Sequence, residues 1–449
     1  MILTGREEPC SIRKAAGAAS PRVTDVHDAD RRPRLNRASS RQILSRARWP
    51  VACKELDSFD QAGVSPMPNL RYASLVKLMC VSHALLACGG SNTGDDSSHA
   101  EDVQLDAKDL VEIQRLADRA VAAGIPGISV AMIRDGEATT ITSGVSDRET
   151  GSPVSTGHRF RMGSVAKSFT AAMILQLVDE GQLKLDDTLE MWLPGLLPAS
   201  AQVTIEQLLR QESGIFDFAN DERHMAPYIA GHMDFQWQPA ELAALSAAHP
   251  PTFEPGTQWA YSNTNFMLLG MIIEKIDLES LELAVQRRVG EPLRLSATTM
   301  EIDSDMTAPF MRGYLVGQGE PMDVTRISGS AVFGNGNLVS TPLDVARFFQ
   351  ALVAGDVVPK ELLPQMLALD PGVPSEYAMG LFRFDDFFSC GTFIGHDGQT
   401  PGYDNIGYSA LDGRRQVAVS VSSSTMDDKA GDAAAHQAFA DVVEAAGCL

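Results

Sequence analysis

The sequence predicts an α+β fold: an antiparallel sheet flanked by helices, plus an inserted, mainly helical domain. Strand-like runs stand at both ends of the globular part, and helix-periodic runs lie between them. Helix-periodic runs also open and close it. The opening helix is read from Leu110, Ile113, Leu116, Ala117 and Ala120, whose spacing puts them on one face. Residues 128–133 and 139–143 read as strands joined at Asp135-Gly136, a pair suited to the positive φ of a tight hairpin. A helix is expected over 164–180, stopped by Gly181. Residues 182–350 read as mainly helical, with Pro- and Gly-rich connections. Strands return at 391–394, 405–410 and 416–421, and a final helix is expected over 431–446.

Composition narrows the function. The chain has 449 residues, 37 Lys and Arg against 58 Asp and Glu, and a net charge of −21. So acidic a chain is a poor partner for nucleic acid, whose phosphates require clustered cations. No apolar run reaches the roughly 20 residues that span a bilayer. The charge is uneven: residues 1–87 hold 14 basic and 8 acidic residues, leaving 23 and 50 for the rest. Residues 1–66 are Arg-rich, lack apolar periodicity, and are expected to be a mis-called or disordered extension. From Met67 the text becomes that of a secretory signal over 67–87, with Arg71 and Lys77 before a short apolar run. Leu85-Leu86-Ala87-Cys88 resembles a bacterial lipobox, which implies a lipidated Cys88 and a polar tether over 88–104, ahead of a globular domain over 105–446. The protein is then expected at the cell envelope, exported and held to a membrane by lipid. Only Cys390 and Cys448 remain beyond Cys88, and the sequence leaves open whether they are bridged. No Cys/His spacing suggests a metal, and no cofactor is expected.

Three short motifs carry chemistry. Ser164-Val165-Ala166-Lys167 places a hydroxyl and an amine on one helix face. A serine needs a base to take its proton, and a buried lysine with a lowered pKa can be one. The pattern alone is weak, because Ser11 to Lys14 and Ser74 to Lys77 also match it. Context favours Ser164, which opens a strong helical pattern after a hairpin. Tyr261-Ser262-Asn263 supplies a phenol to relay protons and an amide to hold a carbonyl or the lysine. His396-Asp397-Gly398 offers an imidazole and a glycine that lets a substrate backbone come close. The backbone amides of Ser164 and Gln399 are the expected oxyanion donors.

The order S-x-x-K, Y-x-N, H-x-G resembles the class C β-lactamase-related serine hydrolases, among them penicillin-binding proteins, D-alanyl-D-alanine carboxypeptidases, D-aminopeptidases and esterases. The likeness extends to 208–215, 268–275 and 336–344, and covers about 105–446. It implies a β-lactamase/DD-peptidase-like fold and an acyl-enzyme at Ser164. Lys167 and Tyr261 would move protons, His396 would complete the catalytic set, Asn263 would position the acyl group, and Gly398 and Gln399 would meet the substrate. The implied substrate is small, an amide or ester: a D-amino-acid peptide of cell-wall type or a small ester. Alternatives are a β-lactamase proper and a non-catalytic penicillin-binding or sensor protein. His396 stands where β-lactamases carry a permanently charged lysine, which disfavours efficient β-lactamase activity and leaves peptidase chemistry open. Gln211-Glu212 departs from the family's usual Thr-His-Thr-Ser-Gly. Residues 217–239, with Phe216, Tyr228, Phe235 and Trp237, are either a lid, an acyl-pocket wall, or helical core.

Overall fold

A computed structural model describes residues 105–198, 200–316, 320–425 and 433–449. The extension, signal, Cys88 and most of the tether lie outside the described residues. Helix α1, Ala107–Ala122, starts with a capping box in which Asp106 and Asp109 bond each other's backbone amides, and it buries Ile113, Leu116, Ala117 and Ala120. Strands β1 (Gly127–Arg134) and β2 (Glu137–Asp147) form the expected hairpin. Asp135 and Gly136 take φ of 47° and 88° there, as a tight hairpin turn requires. Short strands β3 (Ser152–Pro153) and β4 (Phe160–Arg161) lead to the helix α2, Ala166–Asp179.

In the middle of the chain come the helices α3 (Glu222–Ile229) and α4 (Asn263–Asp277), then β5 (Thr299–Met300), β6 (Leu338–Ser340) and α5 (Pro342–Ala354). The tail supplies β7 (Phe382–Phe388), β8 (Gly391–Thr400), β9 (Tyr403–Ala410), β10 (Arg415–Val421) and α6 (Ala433–Cys448). The main sheet runs β3-β2-β1-β10-β9-β8-β7, with every neighbouring pair antiparallel. A second, small sheet has the order β4-β6-β5.

The sheet separates two apolar cores. On one face, Ile128, Val130, Val417 and Val419 pack with α1 and α6. On the other, Ala131, Ile133 and Ala418 join the core that contains α2, α4 and α5. Helix α5 begins inside the interval 182–350, expected as a mainly helical insertion, and lies on the sheet: a Cβ on Gly407 of β9 would stand 2.4 Å from Val345 and 2.7 Å from Phe349. The interval also contains β5 and β6.

Cys390 and Cys448 are joined by a disulfide, which ties the β7–β8 turn to the end of α6. The sequence had left that pair open.

Candidate active site

Ser164 sits on a 3-10 turn, Gly163–Val165, between β4 and α2. The expected helix over 164–180 therefore begins with a tighter turn. Two glycines let this turn press against β8. Gly163 has a φ of 55°, and a Cβ there would lie 2.8 Å from the Gln399 nitrogen. A Cβ on Gly398 would lie 1.9 Å from the Met162 carbonyl oxygen and 3.0 Å from the Ser164 nitrogen. Gly398 was expected to admit substrate backbone, but its bare face is occupied by the serine turn. The Ser164 and Gln399 amides are brought close together by this contact. Asn405 braces it, donating from Nδ2 to the carbonyls of Arg161 and Gly398 at 3.0 Å each.

Lys167 is fully buried, and its Nζ reaches three oxygens: Ser164 Oγ at 3.0 Å, Asn263 Oδ1 at 2.8 Å and the Asn335 carbonyl at 2.9 Å. Burial pushes its pKa from 10.5 down to about 7, against the pull of Asp217 and Asp397. A neutral amine has two hydrogens and one lone pair. The two carbonyl-type oxygens can only accept, so they take both hydrogens and leave the lone pair facing Ser164. Tyr261 donates its hydroxyl to the same Ser164 Oγ at 2.7 Å, and its ring lies 4.7 Å from Lys167 Nζ. Asn263 is held in turn by Asp217, which accepts from its Nδ2 at 3.0 Å. Burial raises the Asp217 pKa, while the Ala219 amide and the Lys167 cation oppose the rise.

The structure thus joins Ser164, Lys167, Tyr261 and Asn263 in one hydrogen-bonded cluster. His396 is not part of it. Its Nδ1 lies 2.5 Å from the Asp397 carbonyl oxygen, which can only accept, so that nitrogen carries the proton. Nε2 then accepts from the Tyr377 hydroxyl at 3.2 Å. Both nitrogens are engaged, and the ring is a fully buried wall 6.3 Å from the Tyr261 ring, centre to centre. His396 thus lines the site beside Tyr261 without joining its hydrogen-bonded cluster.

Sequence reasoning missed Asp217 as a partner of Asn263, the Asn335 carbonyl, and Tyr377. Asn335 had a visible signal, since Gly334-Asn335-Gly336-Asn337 is a turn sequence that calls for close packing. Tyr377 had none. The departure at Gln211-Glu212 has a structural counterpart. Gln211 adopts a φ of 63°, rare for a residue with a side chain, and is fully buried. Its carbonyl accepts from the Ala260 amide at 3.1 Å, and its Oε1 accepts from the Ser262 amide at 3.0 Å. Those amides flank Tyr261. Glu212 is buried beside Asp370, and burial pushes its carboxyl up to about 7.

Residues 113–443 match the Beta-lactamase family profile. "Penicillin-binding protein 4" of Amycolatopsis lactamdurans is 31% identical over 243 residues, which is 52% of this chain and 61% of that protein. The chain thus spans about six tenths of the length of the first curated relatives it matches. A D-stereospecific amidohydrolase from Streptomyces sp. superposes with a TM-score of 0.65 at 32% identity, over 73% of this chain and 97% of that one. A D-amino acid amidase from Ochrobactrum anthropi, complexed with L-phenylalanine amide, gives 0.66 at 27% identity, over 76% and 98%. With a family match over most of its length, an antiparallel sheet flanked by helices, and the S-x-x-K serine at the head of α2, the chain belongs to the Beta-lactamase family.

Proposed function

We propose that this protein is a serine hydrolase of the cell envelope that cleaves an amide bond through an acyl-enzyme on Ser164. The observation that carries the reading is the set of three oxygens around Lys167 Nζ, two of them pure acceptors and the third the serine hydroxyl. A lysine so placed, with a pKa near 7, can take the Ser164 proton as the oxygen attacks a carbonyl. The amides of Ser164 and Gln399 would receive the developing oxyanion. Tyr261 would pass a proton to the leaving group, and water would then release the acyl group by the same steps reversed. Similarity to a D-stereospecific amidohydrolase and a D-amino acid amidase supports D-amino-acid amides as substrates. His396 offers no free N–H, which supports a leaving group without a carboxylate over a penicillin or a peptidyl-D-alanine. The Cys390–Cys448 disulfide supports an oxidising compartment, in keeping with export and lipid attachment at Cys88.

The test is intact mass after treatment with a fluorophosphonate or a fluorescent penicillin, beside Ser164→Ala, with ammonia release from D-amino-acid amides measured in parallel. One fluorophosphonate adduct that disappears in Ser164→Ala, together with ammonia release, is the expected result. No adduct on folded protein would overturn it.

A further inference from the structure

Asn263 could meet Lys167 in two ways, because its side-chain amide has an oxygen at one tip and an N–H donor pair at the other. The two tips have nearly the same shape, so packing does not choose between them and only hydrogen-bond partners do. As folded, Oδ1 faces Lys167 Nζ at 2.8 Å, and Nδ2 faces Asp217 Oδ2 at 3.0 Å. The Asn335 carbonyl takes another Lys167 hydrogen at 2.9 Å. With the amide turned over, Nδ2 would point at Nζ and occupy the lone pair that receives the Ser164 proton. The base would be lost with every side chain still in its place.

Asp217 forbids the turned amide. It is buried and caps the 3-10 turn Phe218–Asn220, its Oδ1 accepting from the Ala219 amide at 3.0 Å. Its other oxygen accepts from Asn263, so both oxygens are committed to N–H donors. Burial raises its pKa, while the Ala219 amide, the Lys167 cation and Asn263 all favour the ionised form. A carboxylate has no hydrogen to give, so it can meet only the Nδ2 tip. Thr264 sets the register. Its Oγ1 donates to the Phe216 carbonyl at 2.8 Å and accepts from the Phe218 amide at 3.0 Å, gripping the chain on both sides of Asp217. Thr264 follows Asn263 at the start of α4, so the clamp and the amide are one piece. Asp217 and Asp397 are the charges that pull on Lys167, and the Tyr261 phenol lies against it. Of these groups, Asp217 is the one bonded to Asn263.

Resting on the hydrolase reading above, we propose that Asp217 is a positioning residue, which holds the Asn263 amide oxygen-first toward Lys167 and thereby keeps the lysine lone pair for Ser164.

Two substitutions separate this role from packing. In Asp217→Asn the new amide must keep its oxygen on the Ala219 amide, which turns its NH2 toward Asn263. Asn263 must then present its own oxygen there and its Nδ2 to Lys167. Asp217→Ser still caps Ala219 but is too short to reach Asn263, so the amide is left free to take either orientation. The closer isostere should therefore be the slower protein, an order that a packing role would reverse.

The measurement is the rate of Ser164 labelling by a fluorophosphonate, followed by intact mass on the full chain from about pH 5 to 9. Asp217→Asn should lower the high-pH plateau about 10²-fold and Asp217→Ser about tenfold. In Asp217→Asn the limb near pH 7 should also move to lower pH, because an anion that favoured the lysine cation is gone. Loosened packing would admit water and move the limb up instead. In an Asn263→Ala background, with no amide to turn, either substitution should add little. An unchanged plateau, a lower plateau in Asp217→Ser than in Asp217→Asn, a limb that moves up, or an undiminished loss in Asn263→Ala would each overturn the proposal. Should Asp217→Asn fail to fold by circular dichroism, Asp217→Ser with and without Asn263→Ala decides alone. Failure of the hydrolase reading looks different: the wild-type chain itself would take no fluorophosphonate at Ser164.

Discussion

Lys167 decides the pH behaviour of the site, because one amine cannot be both a base and a cation. Its pKa near 7 means that kcat/KM for an amide should rise with pH through about 7 and level off above it. Lys167→Arg, charged at every working pH and unable to accept the Ser164 proton, should lower kcat about 10²–10⁴-fold and abolish that limb. Stability carries the same signature. Between about pH 7 and the ordinary lysine range the unfolded chain holds a proton that the folded chain has released, so stability should increase with pH there. A pH-independent rate, or a limb that survives in Lys167→Arg, would exclude the lysine as base. Ser164, Lys167, Tyr261 and Asn263 were legible in the sequence because each pair is joined by local spacing. Asp217, Asn335 and Tyr377 were not, since only the folded chain brings them to those residues. His396 shows the converse: its motif could be read, but its hydrogen bonds depend on Tyr377, a residue 19 positions earlier.

At the scale of elements, the site is where a helix start, a strand and a loop meet, and glycine or strained backbone permits each contact. The β1–β2 hairpin and α1 were readable because alternation and a 3.6-residue period are local. β8 was expected to end at 394 but continues to Thr400. Gly395 and Gly398 look like breakers in sequence, yet they stay in the strand because neighbours crowd them: Cβ atoms there would meet the Gly407 and Met162 carbonyls at 2.1 and 1.9 Å. Gly398→Ala should therefore push the serine turn away from β8 and slow Ser164 labelling about 100-fold with the fold retained by circular dichroism. A normal labelling rate would mean that the turn tolerates the shift. Gln211 does comparable work on the Tyr261 loop. Gln211→Gly keeps a backbone suited to a φ of 63° and removes the side-chain anchor on Ser262. It should lower kcat roughly 10–100-fold with little change in Tm, a split that a purely structural role would not produce.

Over the whole molecule, the sheet sets the catalytic cluster against one core and α1 with α6 against the other, and the disulfide belongs to the second. The α+β class was legible because strand-like runs stand toward both ends of the globular part with helical runs between them. The membership of α5 was not, because its packing against Gly407 depends on sheet neighbours far from it in sequence. The disulfide closes a loop 58 residues in sequence separation with a Cα–Cα distance of 5.5 Å. By the chain-entropy argument, cross-linking a loop of that length stabilises by about 4 kcal/mol, through the unfolded chain. Replacing both cysteines by serine should thus lower Tm by several degrees. Ser164 labelling at 25 °C should stay unchanged, because β8 carries Gly391 beside the bond at one end and Gly398 at the site at the other. A fall in labelling rate before any loss of fold would show that the bond tunes the strand register at the site. An unchanged Tm would show that α6 is held by its apolar face alone, through Phe439, Val442 and Val443.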